Sequence, residues 1–366
     1  SHEMSNDVTR PIPSLNEFSI DPAKQSLGFA LFHDARLSEN GTVSCSSCHM
    51  GMHGGTDNLP VSVGINGSLG ERNAPTIFNS AFNFRQFWDG RALNLEEQAL
   101  GPIQNPIEMG HDLESVIEFI SSDAAYAEAF ETIYPDGVTE ENLGNAIAQQ
   151  GRIMTRSDSR FNDYLNGDSS ALTPKELMGW QRFQEVGCSS CHNGINLGGN
   201  SYQGPSGNLE RLTPSRTNKP DEGLFNRSQR EADRQVFKVP GLHNVALTAP
   251  YFHDGSVNSL PEAVAIMGRE QSGRELAADD VENIVAFLES LSSGFFAGRG
   301  QGMNHDAMQG EMRRQMQMQH HQSGSTMPMQ QHGSAEAGMG QSGQHSMMHQ
   351  RHQGMGSDMH HRGDGR

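Results

Sequence analysis

The sequence predicts an all-α chain built as two similar domains, residues 15–165 and 166–297, and followed by a disordered tail, residues 298–366. Three observations predict it. Apolar residues recur at helical spacing through most of the chain, and no alternating run is long enough to make a strand. The pentapeptide Cys45-Ser46-Ser47-Cys48-His49 recurs as Cys188-Ser189-Ser190-Cys191-His192, 143 residues further on, which reads as an internal duplication with one motif per domain. From about Gly298 aromatic residues vanish and Met, His, Gln, Gly and Ser dominate, a composition that buries too little apolar surface to fold.

Each helix has a start signal. Asp21 before Pro22 opens one carrying Leu27, Ala30 and Leu31. Asp112 precedes a second, Leu113-Glu114-Ser115-Val116-Ile117, and Thr139 a third with Leu143 and Ile147. Thr173-Pro174-Lys175-Glu176 is a capping box with proline at the first helical position, and that helix runs through Leu177, Trp180 and Phe183 to stop at Gly187, delivering the chain into Cys188. Ser259-Leu260-Pro261-Glu262 precedes Val264 and Ile266, and Asp279-Asp280 opens a last helix whose Ile284, Phe287, Leu288 and Leu291 form an i, i+3, i+4, i+7 stripe. The Gly-, Asn-, Ser- and Pro-rich stretches from Gly51 to Asn73 and from Asn193 to Asn226 read as ordered loops wrapped around something.

With 366 residues, 34% hydrophobic and 19% charged, the chain has room for two ordinary domains. No stretch reaches the roughly 18 apolar residues of a membrane span, and the acidic balance, −18 with no Lys/Arg block, offers nothing to phosphate backbones. Residues 298–366 hold 6 Arg and 5 acids, so residues 1–297 carry 20 positive and 39 negative side chains, or −19. The globular part is therefore the acidic part, which suits a basic or neutral protein partner. The opening Ser1-His2-Glu3-Met4 has neither the charged start nor the apolar run of a secretory leader and reads as a scar of expression.

All four cysteines belong to the two C-x-x-C-H motifs, so none is left for a disulfide elsewhere. Two thiols three apart, followed at once by His, suit covalent attachment of a c-type haem: each thiol adds to a vinyl group and the imidazole reaches the iron. The alternative is one four-cysteine zinc site, which has no need of a His after both pairs. Two haems attached in this way imply maturation outside the cytoplasm and hence a periplasmic protein.

The chain resembles the bacterial dihaem cytochrome c peroxidases over roughly residues 15–295. The resemblance is carried by Leu27-Gly28 to Leu31-Phe32, Arg36-Leu37-Ser38, both C-S-S-C-H motifs, Arg72-Asn73-Ala74-Pro75-Thr76, Phe87-Trp88-Asp89-Gly90-Arg91-Ala92, Leu95-Glu96-Glu97-Gln98-Ala99, Gly101-Pro102-Ile103 with Glu108-Met109-Gly110, Phe237-Lys238-Val239-Pro240, and Leu247-Thr248-Ala249-Pro250-Tyr251-Phe252-His253-Asp254-Gly255. It implies two cytochrome c-like domains, each with one covalent haem, often in a homodimer, that reduce hydrogen peroxide with electrons from a small cytochrome c or cupredoxin.

Site residues follow from the resemblance. The C-terminal haem, on Cys188, Cys191 and His192, accepts electrons and has Met267 as its second axial ligand; on periodicity alone Met267 would be a core methionine. Tyrosine is typical at this position in the related MauG-type enzymes, which oxidise a protein substrate. The N-terminal haem, on Cys45, Cys48 and His49, is the peroxidatic one, with Glu108 as its acid/base and Gln98 as a polar neighbour; as isolated residues both would read as solvated surface side chains. Trp88 matches a tryptophan between the haems, either an electron relay or an aromatic packed on a porphyrin. A calcium ion is implied on the side-chain oxygen of Asn73 and the carbonyls of Thr248 and Pro250. One departure stands out. Many members block the resting peroxidatic haem with a histidine after a segment similar to Ser62-Val63-Gly64, where this chain has Ile65, and no histidine occurs between His53 and His111. The peroxidatic haem is therefore expected open, with His111 the substitute if it is not.

The tail holds 12 of the 19 Met and 9 of the 17 His, among them His320, His321, Met347, Met348, His349, His360 and His361. Thioethers suit Cu(I) and imidazoles Cu(II), so the tail reads as copper-binding, against the plainer reading of a solubilising segment. The family does not usually carry it. Two other functions therefore stay in view: a MauG-like oxidase of a protein substrate, and a copper-binding or electron-carrying haem protein.

Overall fold

The computed structural model describes residues 8–204 and 220–296. Helix α1, Pro22–Phe32, begins where Asp21 accepts hydrogen bonds from the backbone N–H groups of Ala23 and Lys24, with Pro22 where no N–H is needed. Leu27 and Leu31 are buried as expected, but Ala30 faces solvent, and Gly28 and Phe29 complete the inward face. The first cysteine motif forms one short turn, α2, Cys45–Cys48. Then follow α3 (Leu95–Gln104), α4 (Leu113–Ser122), α5 (Ala124–Ile133) and α6 (Glu140–Ile153). Asp112 caps α4 by accepting from the Ser115 N–H at 2.8 Å, and Thr139 caps α6 through the Asn142 N–H.

The second half opens with α7 (Arg160–Leu165) and α8 (Pro174–Glu185). The expected capping box is present in α8: Thr173 Oγ1 accepts from the Glu176 N–H while the Glu176 carboxylate accepts from the Thr173 N–H. After α9 (Phe225–Ser228) come α10 (Leu260–Ile266) and α11 (Ala278–Glu289), on which Ile284, Phe287 and Leu288 are buried, with Leu291 just beyond. Strand pairing among the described residues is minor: β1, Tyr202–Gln203, runs antiparallel to β2, Phe237–Lys238. The fold is mostly helical, as expected.

Beside a smaller cluster of Tyr251, Val257, Ala263 and Ile266, two large apolar clusters organise it. One gathers Leu31, Leu37, Ile103, Val116, Phe130 and Leu143 where α6 packs on α1 and α3. The other gathers Phe161, Trp180, Phe183, Ile284 and Phe287 where α8 packs on α11. The Phe287 ring lies 5.0, 5.1 and 5.2 Å from Phe161, Trp180 and Phe183. Each large cluster has a glycine at its helix crossing. A Cβ on Gly28 would stand 2.0 Å from the Ala146 carbonyl oxygen, and one on Gly179 would stand 1.8 Å from that of Asn283. The helix before each C-x-x-C-H motif thus meets a later helix backbone to backbone, a contact only glycine allows.

All described residues fall within Ser1–Gly324, one of the two units into which the chain divides. The tail positions His320, His321, Met347, Met348, His349, His360 and His361, with the reading of residues 298–366 as disordered, lie outside the described residues, as does part of the loop from Asn193 to Asn226.

Candidate haem sites

Helix α8 ends at Glu185, and Gly187, at φ 92°, turns the chain so that Cys188–Ser190 makes a single tight turn before His192. His192 Nδ1 lies 3.1 Å from the Leu197 carbonyl oxygen. A carbonyl only accepts, so the ring proton sits on Nδ1 and the Nε2 lone pair is left for a metal. The first motif repeats the device: His49 Nδ1 lies 3.0 Å from the Gly55 carbonyl oxygen. Burial lowers the pKa of both imidazoles, with these carbonyls acting in the opposite direction, so each ring is held neutral as a ligand must be.

No disulfide joins the cysteines. Burial pushes the thiols up, Cys45 to about 12 and Cys48 and Cys188 to about 11. Among the described residues no group of three or more His, Cys, Asp or Glu side chains is placed to hold a metal. The two pairs are therefore not gathered into the four-cysteine centre that was the alternative.

A cavity of about 870 Å³ opens beside the second motif, lined by Cys188, Cys191, His192, Met267, Trp88 and Lys238 among others. Its size is that of a cofactor pocket. Met267 ends α10 and begins a single π-type turn, Met267–Gln271; it is half-buried because one side faces the cavity. Trp88 donates its indole N–H to the Asn73 carbonyl at 2.9 Å, and its ring stands edge-on to His253 at 6.4 Å. Asn73, Thr248 and Pro250 line the same cavity. The Asn73 amide donates to Leu59 O at 2.9 Å and Pro60 O at 3.3 Å, which turns its Oδ1 the other way.

Glu108 sits after α3, where Asn105 and Gly110 hold the turn. Its Oε2 is buried without a hydrogen-bond partner, and burial raises its pKa, opposed by the Asn105 side chain and the charge of Arg91. The same carboxylate acts electrostatically on both Cys45 and Cys48, which places it beside the first motif. Gln98 is half-buried on α3. Ile65 is 3% exposed, packs in the first apolar cluster, and its N–H donates to the Glu108 carbonyl at 2.8 Å. Neither Gln98 nor Glu108 is on the wall of the cavity around His192.

A family model described as Di-haem cytochrome c peroxidase matches residues 22–170. The chain is 45% identical over 298 residues to the cytochrome c551 peroxidase of Pseudomonas aeruginosa, covering 80% of this chain and 86% of that one. The chain belongs to the di-haem cytochrome c peroxidase family. It is also 44% identical over 291 residues to the cytochrome c peroxidase Ccp of Escherichia coli, covering 79% of this chain and spanning 62% of that longer relative. Among solved structures, a MauG-like protein associated with microbial copper homeostasis aligns with a TM-score of 0.64 and 28% identity, over 81% of this chain and 97% of that one.

For a di-haem peroxidase the residues present fit the group: two tautomer-fixed histidines, two pairs of unbridged thiols, and a cavity with a thioether on its wall. Three contributors escaped the sequence reading. Asn105 hydrogen-bonds Glu108, and Ser62 hydrogen-bonds Cys48, both set by loop closure rather than by motif. Lys238 was visible only as a cation flanked by Phe237, Val239 and Pro240.

Proposed function

We propose that this chain reduces hydrogen peroxide to two waters, using two electrons delivered singly by a small periplasmic cytochrome c or cupredoxin, and two protons. The single observation that carries the reading is Glu108, a buried carboxyl with one unpartnered oxygen beside the first C-x-x-C-H motif. Domain 15–165 would hold one haem on Cys45, Cys48 and His49. Domain 166–297 would hold the other through Cys188, Cys191, His192 and Met267. When bound, the haems supply the one-electron chemistry that peroxide reduction needs.

The chain's own residues do the rest. The Glu108 carboxylate takes the proton from the near peroxide oxygen and returns it to the leaving one, so that water departs rather than hydroxide. Its raised pKa brings the protonated and ionised forms closer in energy than for a surface glutamate. Gln98 supplies a neutral polar neighbour to the peroxide. The indole of Trp88, fixed on the Asn73 carbonyl, would relay electrons between the two haems. Asn73 Oδ1 and the Thr248 and Pro250 carbonyls would supply oxygens to a calcium ion, which would tie the segments around Trp88 together. Among the described residues no helix is long and apolar enough to cross a membrane, in keeping with a periplasmic protein meeting a diffusing donor. Methionine at position 267 favours peroxide reduction over MauG-like oxidation of a protein.

The likeness to a protein associated with copper homeostasis favours a second role, copper binding by the Met- and His-rich tail. The main reading is tested by steady-state peroxide turnover with a reduced small cytochrome c. Glu108→Gln is expected to lower kcat by roughly 10²–10⁴ with both haems retained. Turnover undiminished in that variant would remove Glu108 from the chemistry, and a native protein that ignores peroxide at every redox level would leave the electron-carrying reading in its place.

A further inference from the structure

Lysine is almost never fully buried without a partner. Lys238 is 5% exposed, and it stands on β2 with its own N–H bonded to the Trp88 carbonyl at 2.8 Å, so the side chain leaves a fixed backbone. An ammonium has three donors. Among the described residues Nζ meets one acceptor, the Arg85 carbonyl at 3.2 Å. The carboxylate that acts on it, Asp89, is itself buried and already engaged by Arg72 at 2.8 Å and Arg91 at 3.1 Å. Lys238 is therefore a buried cation with donors to spare, on the wall of the cavity that also exposes Cys188, Cys191 and His192.

We propose that Lys238 anchors a propionate carboxylate of the haem held by Cys188, Cys191 and His192, completing an ion pair that the protein leaves half-built. The inference rests on the haem reading of the second motif. A haem presents two carboxylates at one edge, and a cation on rigid backbone orients that edge as a charged pair with little entropy to lose. Burial lowers the ammonium to about 8 even with the Asp89 carboxylate acting in the opposite direction, so a further anion at that place would be favoured. A cation beside the macrocycle also favours the reduced iron, whose net charge is one unit more negative.

The experiment is a redox titration of both haems in the purified holoprotein and in Lys238→Met and Lys238→Arg. In Lys238→Met the reduction equilibrium of the Met267-side haem is expected to move about tenfold toward the oxidised form, ~59 mV for one electron, with the other haem unmoved. Lys238→Arg, which keeps the charge, is expected to stay near the native potential. A fully loaded Lys238→Met with both potentials unchanged would overturn the proposal. Should that variant fail to load haem, resonance Raman of the unsubstituted protein decides: the propionate bending band shifts in D₂O if the carboxylate accepts from an exchangeable N–H, and an unmoved band overturns the proposal. Failure of the haem reading is separate, since a pyridine haemochrome assay would then find fewer than two haems per native chain.

Discussion

A carboxyl oxygen buried without a partner is costly to ionise, and at Glu108 this cost can be read in two ways. The folded pKa is raised above the unfolded one, so the cost is absent below the unfolded value, about 4.3, where Glu108 is protonated in both states. It grows as pH rises toward the folded value and is fully present above it. Glu108→Gln is therefore expected to stabilise the protein at pH 7 by roughly 1 kcal/mol, the gain vanishing near pH 4; urea unfolding at the two pH values measures it. In the native protein kcat/KM for peroxide is expected to fall with decreasing pH through a value above the ordinary carboxylate range. At the neighbouring Ile65 the side chain is apolar, buried, and tied by its backbone to Glu108. The oxidised resting protein is accordingly expected to show a high-spin ferric signal by electron paramagnetic resonance that one equivalent of peroxide removes. Two low-spin haems that ignore peroxide until half-reduced would contradict this, and would turn attention to His111, whose Nδ1 lies 3.8 Å from Asp112.

At the scale of elements, the two halves repeat one construction: a helix leads into C-x-x-C-H and crosses a later helix at a glycine. At Gly28 and Gly179 the facing atom is a backbone carbonyl oxygen that cannot swing aside. Gly28→Ala and Gly179→Ala are each expected to force the helices apart and cost about 1–3 kcal/mol, seen as a lower midpoint in thermal unfolding of the holoprotein. Much of this level was legible beforehand. The caps at Asp21, Asp112, Thr139 and Thr173 are local chemistry and announce themselves. Helix α5 does not, because Asp123 ends α4 and caps α5 at once, leaving no linker to read. Helix α3 is masked by Gly101 and Pro102 in its last turn. The candidate site was legible in its two C-x-x-C-H motifs, which are contiguous, but not in Met267, whose spacing is that of any core methionine. It was not legible in its supports: Arg72 pairs with Asp221 from 149 residues away, and Asn58 holds the carbonyls of Leu247 and Ala249.

The whole molecule divides by composition more sharply than by any motif. Residues 1–297 carry the −19 charge and both C-x-x-C-H motifs, while residues 298–366 carry 12 of 19 methionines and no cysteine. The proposed peroxide-reducing centre would use one thioether, that of Met267, so the tail calls for a separate account. Cu(I) is the soft cation that thioether and imidazole together select, and it generates damaging oxygen species when free beside peroxide. Copper held by thioethers and imidazoles would not be free to react with peroxide. Deleting residues 298–366 is expected to abolish Cu(I) binding measured by competition with a colorimetric chelator, while kcat for peroxide with a small cytochrome c changes less than about twofold, since no haem ligand is lost. Copper retained by the truncated protein would place the site in the folded part. Peroxide turnover lost together with copper would mean that the tail serves the haem chemistry directly, and the two functions would then be one.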